Sequence, residues 1–361
     1  MNPQLLVGFN VAFVTSERFT PGTMPQPRAA ADRTCASLAS AAGLPGTNYV
    51  AWLGAEGAST AVSDDITPLS SFVSRGGFLR PDGVPLARSF AAFARGELLH
   101  PISLDEHGQR GGSNAIWSGL PGLDGTLTRL GQNQVLDCQN WSSTSPSSFG
   151  GTIIANSVGP AFFSLPNSQA CDQSAALYCF GDDSEAEVVI VPPNPSRLAF
   201  LSRSDFTPGG GLATADAICQ SDACVANLTG SNDCATDLGS ARTFKSYLHT
   251  TAQPAWARFD LAKPTWARPD GVAWLAAAAD LVNDGATQLT APNVTLALEY
   301  LAGNRSLWVG NSDGSETCSD WTSTVGQGGL GVYDIANGTS FSRGANPSAC
   351  AFPGRLLCLE E

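Results

Sequence analysis

The sequence predicts a mixed α+β fold laid down twice, head to tail, and tied by disulfide bonds. Three observations predict it: an ordered internal repeat, an even set of ten cysteines, and a turn-rich composition with few charges. The 361 residues suit two domains of roughly 150 residues each. With 38 Gly and 23 Pro against only 14% charged residues, long looped surfaces are favoured over a helical bundle. Hydrophobic residues, at 43%, suffice for packed cores.

The repeat fixes the order of elements. Phe13-Val14-Thr15-Ser16, a strand-like run leading to Phe19-Thr20-Pro21-Gly22, returns as Phe200-Leu201-Ser202-Arg203 leading to Phe206-Thr207-Pro208-Gly209. An Ala-rich helical stretch follows, Ala31-Asp32-Arg33-Thr34-Cys35 and Ala215-Asp216-Ala217-Ile218-Cys219. Asp32 and Asp216 are expected near the helix N-terminus, where a carboxylate meets the positive end of the dipole. Next come the turns Arg80-Pro81-Asp82-Gly83 and Arg268-Pro269-Asp270-Gly271. Ile116-Trp117-Ser118-Gly119 and Leu307-Trp308-Val309-Gly310 are short strands, each before an Asp-Gly turn at Asp124-Gly125 or Asp313-Gly314. Cys138-Gln139-Asn140-Trp141 matches Cys318-Ser319-Asp320-Trp321, and Cys171 and Cys179 match Cys350 and Cys358. The offset drifts from 184 residues at Cys35/Cys219 to 179 at Cys179/Cys358, as a duplication with small insertions would leave it. Two copies are too few for a solenoid, so each is a self-sufficient domain. Domains 1–184 and 196–361 are expected, joined by a semi-rigid spacer at 185–195 that ends in Pro192-Pro193-Asn194-Pro195.

Ten cysteines with no CxxC pair and no Cys/His cluster of zinc spacing point to disulfides in an oxidising compartment. Four are common to both copies, and four cysteines allow three connectivities, which the residues leave open. Cys224 and Cys234 occur only in the second copy, ten residues apart, and are expected to bond each other as a clip on an inserted loop.

Together the strand, the Cys-bearing helix, Trp-x-Gly, Cys-x-x-Trp and the terminal cysteine pair resemble the C-type lectin-like fold. The first copy resembles the endostatin domain more narrowly, through Ala31–Cys35, Ala42-Gly43-Leu44-Pro45-Gly46-Thr47, Ala51-Trp52-Leu53-Gly54, Ile116–Gly119, Cys138–Trp141 and Ala176-Leu177-Tyr178-Cys179. The likeness spans 11–182, and 198–361 more loosely. It implies nested disulfides Cys35–Cys179 around Cys138–Cys171, and Cys219–Cys358 around Cys318–Cys350. It also implies one or two helices on a twisted, mostly antiparallel sheet with a loop-rich second half. Similar domains occur in bacterial secreted and surface proteins.

The relatives' ligand determinants are not carried over. Neither Glu-Pro-Asn nor Gln-Pro-Asp nor Trp-Asn-Asp occurs, residues 1–20 hold no histidine for zinc, and the net charge of −13 opposes heparin. The same charge, without any basic run, excludes nucleic acid. No run of 18 apolar residues marks a membrane span, and Met1–Phe13 lacks a basic n-region and cleavage site, so any export signal is expected to be missing from this chain. No cofactor is expected. The candidate metal ligands are Asp313, Glu316 and Asp320, an oxygen-rich trio suited to Ca²⁺. His100, Asp105 and His107 lie close together, but there is no G-x-S-x-G elbow, P-loop or H-E-x-x-H, so no enzymatic activity is expected. Trp117, Trp141, Trp308 and Trp321 are read as core, and one of Trp256, Trp266 and Trp274 as reaching the surface. The function expected is recognition or adhesion outside the cell, secreted or on its surface, with a glycan or protein as partner. The alternative is a self-assembling structural subunit of a filament or surface layer.

Overall fold

A computed structural model describes residues 6–23, 27–54, 72–110, 115–118, 129–130, 134–160, 162, 167–229, 242–283, 288–301, 307–336 and 346–361. The chain divides into two compact units, Met1–Ile190 and Val191–Glu361. Both are mixed α+β, with few helices and several sheets.

Unit 1 runs β1 (Asn10–Val14), α1 (Pro27–Ala41), β2 (Tyr49–Ala51), β3 (Phe78–Leu79), β4 (Pro85–Ala87), α2 (Phe90–Ala94), β5 (Ile116–Trp117), β6 (Arg129–Leu130), β7 (Gln134–Val135), β8 (Phe149–Ile153), β9 (Asn167–Ala170) and β10 (Ala176–Gly181). β10 organises the sheet. It pairs antiparallel with β1 and β2 and parallel with β5, in the order β4-β3-β1-β10-β5-β8-β9. Every residue of β10 and β1 is buried, as expected of strands covered on both faces. Side chains alternate between the faces with a period of two. Ala12, Val14, Tyr178 and Phe180 join an aromatic core with Trp52, Phe72, Phe78, Phe93 and Phe162. Val11, Phe13, Leu177 and Cys179 face α1, Trp117 and Trp141.

Unit 2 repeats this build through β11 (Arg197–Leu201), α3 (Gly211–Val225), β12 (Phe244–Ser246), β13 (Trp266–Ala267), β14 (Leu307–Trp308), β15 (Gln327–Gly331), β16 (Asn346–Ala349) and β17 (Leu357–Glu360). β17 takes the place of β10, antiparallel to β11 and β12. Here the sheet is divided, into β12-β17-β11-β13 and β14-β15-β16.

Two nested disulfides close each unit: Cys35–Cys179 around Cys138–Cys171, and Cys219–Cys358 around Cys318–Cys350. The outer bond joins the helix to the last strand it covers. The inner bond begins in a turn with an unusual backbone. Cys138, Gln139, Asn140 and Trp141 have φ of 50–61°, and Cys318, Ser319, Asp320 and Trp321 have φ of 51–67°. Four consecutive non-glycine residues in the left-handed region cost roughly 1–2 kcal/mol each, so the tertiary structure must hold them there. The Trp141 indole donates to Gly54 O and the Trp321 indole to His249 O, at 2.8 and 2.7 Å. Each packs edge-on against its partner Trp117 or Trp308, at 5.7 Å in both units.

β8 and β15 cross this Trp-disulfide cluster on a glycine. A Cβ at Gly150 would lie 2.7 Å from the Trp117 ring and 2.8 Å from Cys138 Sγ; at Gly328 it would lie 2.6 Å from both the Trp308 ring and Cys318 Sγ. Gly150→Ala and Gly328→Ala are therefore each expected to destabilise their unit by about 1–3 kcal/mol through overpacking, seen as a lower urea midpoint. A midpoint unchanged in either variant would show that the cluster has room.

Asp32 and Asp216 do not sit at a helix start, contrary to the expectation from the sequence. α1 begins at Pro27 and α3 at Gly211, placing both carboxylates in the second turn. They accept instead from strand backbone, Ala51 N at 2.8 Å and Ser246 N at 2.9 Å, so their role is to fasten the helix to β2 or β12. Of the expected spacer, Val188 packs in the core of unit 1 and donates to Arg88 O. Cys234 and the turn Asp124-Gly125 lie outside the described residues.

Candidate functional site

The structure scatters most of the residues that the sequence singled out. Trp117, Trp141, Trp308 and Trp321 are buried, and their indole N–H groups are bonded to backbone carbonyls, Trp117 to Phe19 O and Trp308 to Phe206 O. Trp266 and Trp274 are also buried, and Trp256 is the half-buried one of its trio. Asp313 accepts from Ser315 N, Glu316 from Asn311 Nδ2, and Asp320 from the backbone and hydroxyl of Thr251. Asp313 and Glu316 thus serve their own loop while Asp320 ties it to the 249–253 segment, and among the described residues no group of three His, Cys, Asp or Glu side chains could hold a metal ion.

His100, Asp105 and His107 do not converge either. His100 Nδ1 is 2.6 Å from Pro85 O, and Asp105 accepts from the backbone of His107 and Gln109. The buried carboxylate nearby is Glu106, which accepts from both the N–H and the hydroxyl of Ser16. His107 Nε2 lies 3.7 Å from Glu106 on the solvent side. Glu106 thus holds both the backbone and the side chain of Ser16, which fixes the end of β1 to this turn.

Glu106 nevertheless leads to the site. In unit 1 the end of β1 meets a tight turn: Val14 N donates to Leu104 O, Asp105 N to Gln109 O, and Gly108 N to Asp105 O. Unit 2 forms the same turn at the end of β11, with Leu201 N to Val294 O, Thr295 N to Glu299 O, and Leu298 N to Thr295 O. Glu106 therefore corresponds to Leu296, His107 to Ala297 and Gly108 to Leu298. The backbone N–H just beyond the strand needs an acceptor in both units. In unit 1 it belongs to Ser16, and the turn supplies Glu106. In unit 2 it belongs to Arg203, and the helix supplies Asp222 at 2.5 Å.

An opening lies beside this exchange. Between α3 and the 294–300 turn lies a cavity of about 250 Å³, lined by Phe200, Leu201, Leu296, Ala297, Val225 and Ala226, with Asp222 and Arg203 as its polar members. Burial pushes the Asp222 carboxyl up, against the opposing pull of the Arg203 and Ser204 N–H groups and of the Arg355 and Arg203 charges. Two exposed apolar side chains stand at or next to its lining. Val225 is 64% exposed, and Leu298 is 51% exposed although it holds a φ of 61° where unit 1 has Gly108. A left-handed, solvent-facing leucine is unfavourable on both counts.

Sequence reasoning missed this site. One signal was present: the residue three positions after the helix cysteine is Leu38 in one copy and Asp222 in the other. The turn partner carries no shared residues between copies, so Leu296 could not be aligned without the hydrogen bonds. Among the described residues no helix is long and apolar enough to cross a membrane, and the disulfides fit an oxidising compartment. No protein-family model matches the chain, and a search of curated proteins finds no match to it.

Proposed function

We propose that the chain is a non-enzymatic recognition protein of the cell exterior, secreted or surface-bound, built of two C-type-lectin-like domains of the endostatin type. The helix strapped to the last strand by an outer disulfide, the inner disulfide at Cys-x-x-Trp, and the repetition of both in each unit support that reading. The observation that carries the binding role is the apolar cavity of unit 2, lined in part by Leu296, the counterpart of Glu106, and by exposed Val225. Rigid scaffolds commonly present loops to ligands, and ligand sites are commonly concave and mostly apolar with a few polar groups.

The test is to display the intact chain to a glycan array and to extracellular-matrix proteins, beside the variant Leu296→Trp, which fills the cavity. Saturable binding that is lost in the variant is the expected result. Blank surfaces with both at high protein concentration would overturn the proposal.

A further inference from the structure

We infer, resting on the recognition reading above, that the unit 2 cavity takes an alkylammonium group, a short apolar chain ending in a cationic amine. At about 250 Å³ the cavity is smaller than the roughly 300–1,000 Å³ of drug-sized pockets. It suits one short chain, and six of its eight lining residues are apolar.

The polar groups lining the cavity are Arg203 and Asp222. Arg203 is exposed, so its guanidinium is hydrated. Arg355 is committed elsewhere: Nε lies 3.1 Å from Asp205, and Nη1 donates to Ser202 O at 3.0 Å. Asp222 is different. It is half-buried on α3 and held by the Arg203 backbone N–H. Partial burial disfavours its charge more than the Arg203 and Arg355 charges favour it, and an ammonium placed beside it would offset that cost through a charge-assisted hydrogen bond. The net charge of −13 further favours the approach of cations over anions. An alkylammonium is presented by a lysine side chain or by a free amine, and both meet the same walls.

Titration of the intact chain with n-butylammonium, followed by backbone amide NMR, tests the assignment. Shifts are expected at 200–203, 222–226 and 296–297. Asp222→Asn keeps an acceptor for Arg203 N and should weaken binding about tenfold or more with an unchanged thermal midpoint. Leu296→Trp should abolish binding independently of that carboxylate. n-Butanol binding as tightly as the amine, or butyrate binding more tightly, would overturn the ammonium assignment while leaving the recognition reading intact. No shift at the cavity with any of the three would overturn it as well, whereas the array experiment alone decides the recognition reading. Acetyl-lysine amide, with its free ε-ammonium, binding more tightly than n-butylammonium supports the inference with a protein lysine as the source; the reverse order supports it with a free amine.

Discussion

Asp270→Asn should destabilise unit 2 by about 3–5 kcal/mol, while the matching Asp82→Asn should cost unit 1 about 1 kcal/mol or less. Both residues belong to an Arg-Pro-Asp-Gly turn closed by the same backbone bonds, Gly83 N to Arg80 O and Gly271 N to Arg268 O. The difference is in their surroundings. The Arg80 and Asp82 side chains are 14% and 38% exposed; those of Arg268 and Asp270 are 0% and 1%. Buried Arg268 is also fully engaged, with Nη1 donating to Thr290 Oγ1, Ala291 O and Asn293 Oδ1 at 2.9 Å, and Tyr300 OH donating to Asp270 at 2.8 Å. Neutralising Asp270 strands a guanidinium with no water to turn to. Unit-resolved hydrogen exchange during urea unfolding reads the two effects separately, and equal losses in both units would refute the argument.

The same pair has an acid signature. Burial alone would push the Asp270 carboxyl up, but the Arg268 charge and hydrogen bonds, with Tyr300 and Val272 N–H, outweigh it and hold the carboxyl below the ordinary carboxylate range. A carboxyl held down in the folded state contributes stability at pH values above its unfolded pKa. That contribution is lost as the pH falls through the folded value. Asp270→Asn should therefore flatten the acid limb of the unit 2 stability curve.

The second large effect belongs to the outer disulfides. Cys219–Cys358 spans 139 residues and Cys35–Cys179 spans 144. Closing loops of that length stabilises by about 5 kcal/mol in the chain-entropy model. Replacing both cysteines of either pair by serine is expected to remove most of that. The loss should show as a fall in the unfolding midpoint confined to the altered unit. A change under about 1 kcal/mol would mean that the helix and last strand stay together in the unfolded chain without the bond.

The duplication could be read from the order of motifs because cysteines, tryptophans and turn residues occupy positions where few others fit. The mixed α+β class followed from that order together with the composition. The burial of Trp117, Trp141, Trp308 and Trp321 was legible for the same reason. Asp32 and Asp216 misled. A carboxylate in an Ala-rich stretch suggests a helix start, but the helices begin earlier, and the unpaired N–H groups of Ala51 and Ser246 claim the two side chains. The trio Asp313, Glu316 and Asp320 could not be placed from the sequence, since closeness along the chain says nothing about which backbone and side-chain groups each carboxylate accepts from.

By itself, the sequence determined that this protein is a tandem of two disulfide-tied units and that the four repeated tryptophans lie in their cores. Those properties rest on residue type and spacing along one chain. Only the tertiary structure decided which Arg-Pro-Asp-Gly pair is buried, that eight consecutive-by-fours residues lie in left-handed turns, and that unit 2 holds a cavity. The physical reason is that each depends on what packs opposite from distant positions: the 288–301 segment around Arg268, the indoles against the inner disulfides, and Leu296 standing where the other unit has Glu106.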